Sequence, residues 1–472
     1  MSRITVIGGG PGGYTAAFAA AKAGVKVTMV EALAIGGTCL NWGCIPTKTL
    51  RASADALEMA HRLAEFGIEG IGEARANMQA VLARKERVIG VMRKGLEKKC
   101  ASLGINFLQG HAALQGANRV LVSLQGGITQ EVESDFIIIA TGSRTLDLPS
   151  LPVNHTNILS SDDALNMAKI PPRLIIVGGG VIGSEMAFIY QSFGSKVTIV
   201  EGQNRLLPLP SVDEEVSKLL LREAKKKGIA TVLGSTVQHA DVQPDGTILV
   251  TIGVTGDNAK EHSGQKIEVD AVLVTVGRVP QTQGLGIEQV GVATDARGWI
   301  TVNEYMQTSV SAIFAVGDVL GPAHNMLAHV AAVEGLCAVA NCLGKKEQMD
   351  YRNVPSVIFT NPEVGSVGLS AQEAREKGYA VKSSLFHMRE LGKAQAMNEL
   401  AGFFKIVAEE GTGKILGVHI TGAHATDLIA EATLALSLGA TVYDVTHTIH
   451  AHPTLAEGVF EACLALSGQR AD

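Results

Sequence analysis

Short apolar runs that end in glycine punctuate the first half of the chain. Ile4-Thr5-Val6-Ile7 has the pattern of a buried strand, and Gly8-Gly9-Gly10-Pro11-Gly12-Gly13 follows it, then an Ala-rich helical stretch. Leu174-Ile175-Ile176-Val177 leads in the same way into Gly178-Gly179-Gly180-Val181-Ile182-Gly183 and a second helical stretch. A Val-rich strand closes each copy, Gly24 to Val30 with Glu31 and Gly194 to Val200 with Glu201. First glycine and acid are 23 apart in both (31 − 8 and 201 − 178), and the copies are offset by 170 (178 − 8). Each copy predicts a βαβ unit. Two further strands are predicted to end at Ile137-Ile138-Ile139-Ala140-Thr141-Gly142 and Val272-Leu273-Val274-Thr275-Val276-Gly277-Arg278. A third, Ile313-Phe314-Ala315-Val316-Gly317-Asp318, ends in an acid at the sheet's carboxyl edge, where ligands bind in such folds. Between the copies a polar helix is expected over roughly Asn77 to Leu103. Its basic residues (Arg84, Lys85, Arg87, Arg93, Lys94, Lys98, Lys99) are interleaved with Glu86 and Glu97, the pattern of a solvated face. From about residue 347 the pattern changes to alternating strands such as Phe403 to Val407, then helices, with no further glycine fingerprint.

Composition narrows the class. At 472 residues the chain exceeds one hydrophobic core and divides into two to four domains. Its 53 glycines and 4% aromatics suit many tight strand-to-helix turns. A net charge of -6 gives no reason to expect nucleic acid. No run of about 20 apolar residues predicts a membrane span, and six cysteines are too few for a secreted disulfide scaffold. A cytoplasmic setting is expected.

The glycine copies carry a defined chemistry. The first glycine permits a tight turn, the second lets a pyrophosphate approach the backbone, and the third lets helix and strand pack closely. The helix N-terminus supplies free N–H groups, and the terminal Glu can accept ribose hydroxyls. Gly36 to Lys48, Gly-Gly-Thr-Cys-Leu-Asn-Trp-Gly-Cys-Ile-Pro-Thr-Lys, places Cys39 and Cys44 inside the first unit. On a regular helix residues five apart point about 140° away from each other, so such a pair cannot close a disulfide. Cys337 and Cys342 share this spacing in an Ala-rich helix and read as core residues, as Cys100 and Cys463 read as inert. Around Cys39 and Cys44 the glycines permit a bend, and Pro46 suits a new helix start. Cys44 then lies near a helix N-terminus with Lys48 one turn on, where a thiolate is stabilised. Near the other end is His450-Ala451-His452-Pro453-Thr454-Leu455-Ala456-Glu457. If Pro453 opens a helix, Glu457 lies one turn inside it, within reach of His452. Residues alone leave three readings open: a carboxylate-oriented general base, ordinary core or surface histidines, and metal ligands lacking a completing Cys or Asp.

Taken together, these motifs resemble the flavin-dependent pyridine nucleotide–disulfide oxidoreductases, in the branch that oxidises dihydrolipoyl groups. The resemblance runs the length of the chain. It implies an α/β architecture with two Rossmann-like dinucleotide-binding domains and a C-terminal α+β dimerisation domain. The implied boundaries are 1–147 (FAD, with a redox disulfide), 148–270 (NAD), 271–346 (completing the FAD domain) and 347–472 (dimer interface). It implies FAD on Gly8, Gly10, Gly13 and Glu31, with Thr38, Lys48, Thr141, Gly142, Gly277, Arg278 and Asp318 also lining cofactor. NAD would lie on Gly178, Gly180, Gly183 and Glu201. Cys44 would face the flavin, Cys39 would exchange with substrate, Lys48 would pair with Glu185, and His452 with Glu457 would be the base. Glu201 disfavours the 2′-phosphate of NADP. Trp42 and Thr47 replace the smaller aliphatic residue and the Ser expected there, and no second cysteine adjoins Cys463 near the C-terminus. The implied partners are a second copy of the chain and a lipoylated carrier protein or 2-oxoacid dehydrogenase complex, with no metal. A reductase for another small disulfide, or a flavoprotein scaffold for lipoyl-bearing partners, is the alternative.

Overall fold

The computed structural model describes residues 2–70, 72–255 and 264–468. The chain divides into two compact units. The first joins 1–50, 79–146 and 277–351, and the second joins 51–78, 147–276 and 352–472. In the first unit a seven-stranded sheet runs in the order Ile313–Ala315, Phe136–Ile139, Arg3–Ile7 (β1), Lys26–Glu31 (β2), Asn106–Gly116, Arg119–Leu124, Thr129–Glu133. The first five strands are parallel, and the last two complete an antiparallel meander. Helix α1 (Pro11–Lys22) crosses from β1 to β2, which pair from Arg3↔Lys26 to Ile7↔Val30. Pro11 opens this helix, where a missing N–H costs nothing. Buried Ile, Val and Ala from β1, Phe136–Ile139 and α1 form the core.

The second unit repeats the idea with a parallel sheet ordered Ala230–Leu233, Lys196–Glu201, Arg173–Val177, Ala271–Val274, Ile158–Ser160. Its crossover helix is Val181–Ser192. The C-terminal part of this unit is a five-stranded antiparallel sheet, Ser356–Ile358, Glu363–Gly368, Ile415–Gly422, Phe403–Glu409, Val381–His387. One face of it packs on helices Ala425–Ser437 and Glu457–Ser467 through Phe404, Ile406, Val418 and Ile420. Among the described residues no helix is long and apolar enough to cross a membrane.

Close backbone contact holds the first unit together at the start of α1. A Cβ on Gly335, in the Ala328–Cys342 helix, would lie 2.6 Å from the Gly12 carbonyl oxygen and 3.3 Å from the Ala16 amide of α1. Cys337 and Cys342 are buried in this helix. Gly335→Ala should therefore lower the melting temperature, at a cost of about 1–3 kcal/mol of overpacking, although alanine is the better helix former by about 1 kcal/mol. Gly95→Ala, where a Cβ meets open space in Met78–Ser102 (α4), should raise it. If both variants gain stability, the close approach is wrong.

Candidate functional site

The two glycine loops have the same geometry. Gly8 and Gly178 adopt φ of +108° and +106°, reachable at low cost only by glycine. A Cβ on Gly13 or Gly183 would stand 1.9 Å from the carbonyl oxygen of Gly8 or Gly178. Glu31 accepts the Gly9 and Leu33 amides at 2.7 Å each, and Glu201 accepts those of Gly179 and Gln203 at 2.6 and 2.7 Å. Both carboxylates are buried, and each oxygen keeps a second lone pair. Space remains beside both loops, since a Cβ on Gly180 would meet nothing within 4 Å and one on Gly10 only Gly37 Cα at 3.8 Å; the turn at Gly142 is likewise open. Thr141 Oγ1 is buried with no hydrogen-bond partner. An orphaned hydroxyl beside an open glycine turn fits a dinucleotide.

Asp318 lies in the turn after Ile313–Ala315. Ser143 Oγ donates to its Oδ2 at 2.7 Å, and Arg278 donates to Ser143 Oγ at 2.6 Å and to Ser143 O at 2.8 Å. Gly277 precedes Arg278 at a φ of +142°. Arg278 thus meets Asp318 both through Ser143 and as a direct ion pair, Nε to Oδ2 at 3.9 Å. Only the position of Ser143, directly after the Ala-Thr-Gly motif, could have suggested this link.

The cysteines sit on two helices. Gly37–Asn41 (α2) carries Cys39 beside the exposed Thr38, and Cys44–His61 (α3) begins at the second sulfur. Half-buried Trp42 ends α2 at φ −138°, and Gly43 makes the break. The chain packs directly on the first phosphate loop: the Gly36 amide donates to Gly9 O at 2.8 Å, and a Cβ on Gly37 would fall 2.6 Å from Gly10 Cα. Gly37 must therefore be glycine, whereas a Cβ on Gly10 would meet Gly37 Cα only at 3.8 Å. Cys39 and Cys44 are present as thiols, hydrogen-bonded side chain to side chain. That bond, then burial, then the charge of Cys44 push the Cys39 thiol well above its ordinary value, while Lys48 pulls it down. Burial, then the cysteine charges, also raise Tyr14 on α1. Thr47 Oγ1 donates to Gly43 O at 2.6 Å, so the Thr found there ties the start of α3.

Part of the basic run in α4 departs from the expected solvated face. Lys85 is buried, 3.0 Å from Glu86, and Arg84 donates to Thr49 O at 3.0 Å. Arg93 donates to Asn41 Oδ1 at 3.1 and 2.6 Å, while Asn41 Nδ2 donates to Ile35 O and Gly37 O at 3.1 and 2.9 Å. Arg93 thus holds the last residue of α2 and Arg84 a carbonyl within α3, and charge spacing alone carries no signal of that.

At the C-terminal end, the expected helix start is corrected. Pro453 does not open a helix; Glu457 is the first helical residue. The segment before it closes as its own turn, with Thr454 Oγ1 donating to Ala451 O and the Thr454 amide to Glu457 Oε2, both at 2.8 Å. Glu457 still reaches back, and its Oε1 lies 2.8 Å from His452 Nδ1. The Thr454 amide, then His452, hold the Glu457 carboxyl below the usual range. A carboxylate on Nδ1–H leaves Nε2 as the proton acceptor, and the His452 side chain is 77% exposed. His450 is instead occupied on both nitrogens, by Thr448 O at 2.9 Å and Glu431 at 2.8 Å, beside the Phe460 ring. Among the described residues no group of three His, Cys, Asp or Glu could hold a metal.

Glu185, buried on Val181–Ser192, accepts the Phe359 amide at 2.9 Å. It belongs to the second unit and Lys48 to the first, as do His452 and the cysteines respectively.

The chain matches the family model described as pyridine nucleotide-disulphide oxidoreductase over residues 2–335, and the dimerisation domain of the same family over 354–463. It is 40% identical to a dihydrolipoyl dehydrogenase of Bacillus subtilis, covering 99% of this chain and 98% of that protein. It is 37% identical to one of Haloferax volcanii, covering 99% and 97%. The crystal structure of LpdA from Mycobacterium tuberculosis superposes with a TM-score of 0.90 at 27% identity, over 99% of this chain and all of that one.

If Asn41 organises the cysteine segment, Asn41→Ala and Arg93→Ala should each speed amide hydrogen exchange across residues 36–44 by about tenfold, the loss of about one buried hydrogen bond. Unchanged exchange in both would remove Asn41 from that role.

Proposed function

The chain belongs to the pyridine nucleotide-disulphide oxidoreductase family, and from that premise we propose that it oxidises protein-bound dihydrolipoyl groups to lipoyl, passing electrons through Cys39 and Cys44 to FAD and on to NAD. The observation that carries this reading is the seating of the cysteine segment on the first phosphate loop, through Gly36, Gly37 and Gly10, with a base of matched chemistry elsewhere in the chain. The family implies a flavin and a pyridine nucleotide. FAD is assigned to the Gly8 loop, with Glu31, Thr141 and Asp318, and NAD to the Gly178 loop with Glu201.

In the reaction, His452 Nε2 takes the proton of a substrate thiol, and Glu457 stabilises the imidazolium. The substrate sulfur attacks Cys39 of the disulfide form, and the Cys39–Cys44 bond breaks. Cys44 leaves as a thiolate at the N-terminus of α3, with Lys48 one turn along. The second substrate thiol displaces Cys39 and closes the lipoyl ring. Cys39 then takes the proton, as its raised pKa favours. FAD on the Gly8 loop would supply a two-electron acceptor, so that Cys39 gives up its proton and the Cys39–Cys44 bond re-forms, and would hand the pair as hydride to NAD on the Gly178 loop.

We place the enzyme in the cytoplasm as a homodimer serving a lipoylated carrier protein or 2-oxoacid dehydrogenase complex. The region matched by the dimerisation model exposes Leu434, Leu438, Tyr443 and Ile449, the last 97% exposed, in the stretch leading to His452. Such apolar exposure calls for a covering surface. A second copy of the chain would bury it and bring His452 to the other chain's cysteines.

The direct test is NADH formation from dihydrolipoamide. Activity should appear with NAD and be lower with NADP by at least tens-fold in kcat/KM, since a buried carboxylate opposes a phosphate. No turnover with dihydrolipoamide would leave a different disulfide as substrate; equal use of both nucleotides would refute the role of Glu201. In the reduced holoenzyme, a long-wavelength thiolate-to-flavin band should vanish in Cys44→Ser and persist in Cys39→Ser. The reverse pattern would exchange the two roles. For the dimer, inactive Cys39→Ser and His452→Gln chains, unfolded and refolded together, should regain about a quarter of wild-type activity, given random pairing in a closed dimer. No recovery in demonstrated heterodimers would mean that each chain supplies its own base.

A further inference from the structure

Glu334 has no part in the chemistry above, yet it is 1% exposed in the Ala328–Cys342 helix of the first unit. Its hydrogen-bond donors are neutral. The Gly317 amide donates to Oε2 at 2.6 Å and the Tyr351 hydroxyl to Oε1 at 2.7 Å. Behind Tyr351 stands His324, its Nδ1 3.0 Å from the hydroxyl. Burial, together with the charge of Asp318, works against the ionised carboxyl. A buried carboxylate that meets only neutral donors does not stabilise a fold by charge pairing, so its use lies in where it holds those donors.

The donor that matters is Gly317. It has a φ of +76°, and the next residue is Asp318, which Ser143 and Arg278 grip from the other side. A continuous hydrogen-bond chain thus runs from Arg278 through Ser143 to Asp318, across the turn to Gly317, and through Glu334 to Tyr351 and His324. The next residue of the helix, Gly335, presses on the Gly12 carbonyl of α1, the first phosphate helix. Consecutive residues of one helix therefore fasten the two sides of a single cradle, 335 against the phosphate helix and 334 against the acidic turn.

We propose that Glu334, backed by Tyr351, is a positioning residue that sets Asp318 against the cofactor by holding the Gly317 amide. This rests on the assignment of FAD to this cradle. The test is FAD affinity of the full-length chain, stripped of flavin and titrated back while flavin fluorescence and absorption are followed. Tyr351→Phe, which removes one hydroxyl, should weaken binding about tenfold. Glu334→Gln keeps an oxygen for Gly317 and should stay within about threefold, whereas Glu334→Leu should lose about a hundredfold. A residue acting through Asp318 must lose its effect once Asp318 is gone, so Tyr351→Phe should cost less than about twofold in an Asp318→Ala background. A purely structural role would give independent, multiplying effects, and that result overturns the proposal. So does wild-type affinity in Glu334→Leu; if that variant fails to fold, the Tyr351–Asp318 cycle decides alone. A wild-type chain that takes up no FAD overturns the cofactor assignment and this inference with it. One that binds FAD without coupling overturns this inference only.

Discussion

The break between α2 and α3 is the constraint on which the chemistry depends. An unbroken helix would carry Cys39 and Cys44 to different sides, and the sulfurs could never share a proton or a bond. Ending one helix at Trp42 and starting the next at Cys44 brings them together and places the second sulfur at a helix N-terminus. Asn41, the last residue of α2, reaches back to the carbonyls of Ile35 and Gly37, and Arg93 holds Asn41 from α4. The helix before the bend is thus held from about 50 positions away.

The same unit solves a second problem, bringing backbone close to a polyanion. Glycine serves here by leaving out an atom. Gly13 approaches the Gly8 carbonyl, Gly37 meets Gly10, and Gly335 meets Gly12, each at a separation that excludes a Cβ. Two other chain segments therefore converge on one loop. The second unit repeats only the first of these contacts, Gly183 on Gly178, and carries no cysteine segment. The two loops share one geometry and differ in what else packs on them.

Buried acids follow a common rule. Glu31, Glu201 and Glu334 are each answered by neutral donors, chiefly backbone amides, which fix orientation. Where the second unit buries an acid with a full cation, at Asp213 beside Lys405 at 2.8 Å, the pair joins the helix at Glu214–Lys226 to the C-terminal sheet. Asp213 caps that helix, and despite the cost of burial its carboxyl is held below the usual range by its hydrogen bonds to Glu215 and Lys405. Amides orient the acids at the nucleotide loops, and a cation is used where two modules must adhere.

Much of this was legible in the sequence because it is local. A glycine that must adopt φ near +108° after a buried strand leaves its mark at fixed spacing, as does the acid 23 residues later. The Cys-x4-Cys segment is legible because its flanking glycines contradict a helix. His452 and Glu457 were legible as a pair, but the helix start was not: Pro453 fits the first position of a helix, and only the turn closed by Thr454 moves that start to Glu457. What the tertiary structure alone decided is every partner chosen across the fold. Arg93 and Lys85 look alike in a basic run, yet one props the cysteine segment and the other is buried beside Glu86. Ser143 linking Arg278 to Asp318, and Tyr351 reaching Glu334, join residues separated by up to 175 positions. A hydrogen bond depends on distance and direction in space, and a linear pattern records neither once the partners lie on different elements.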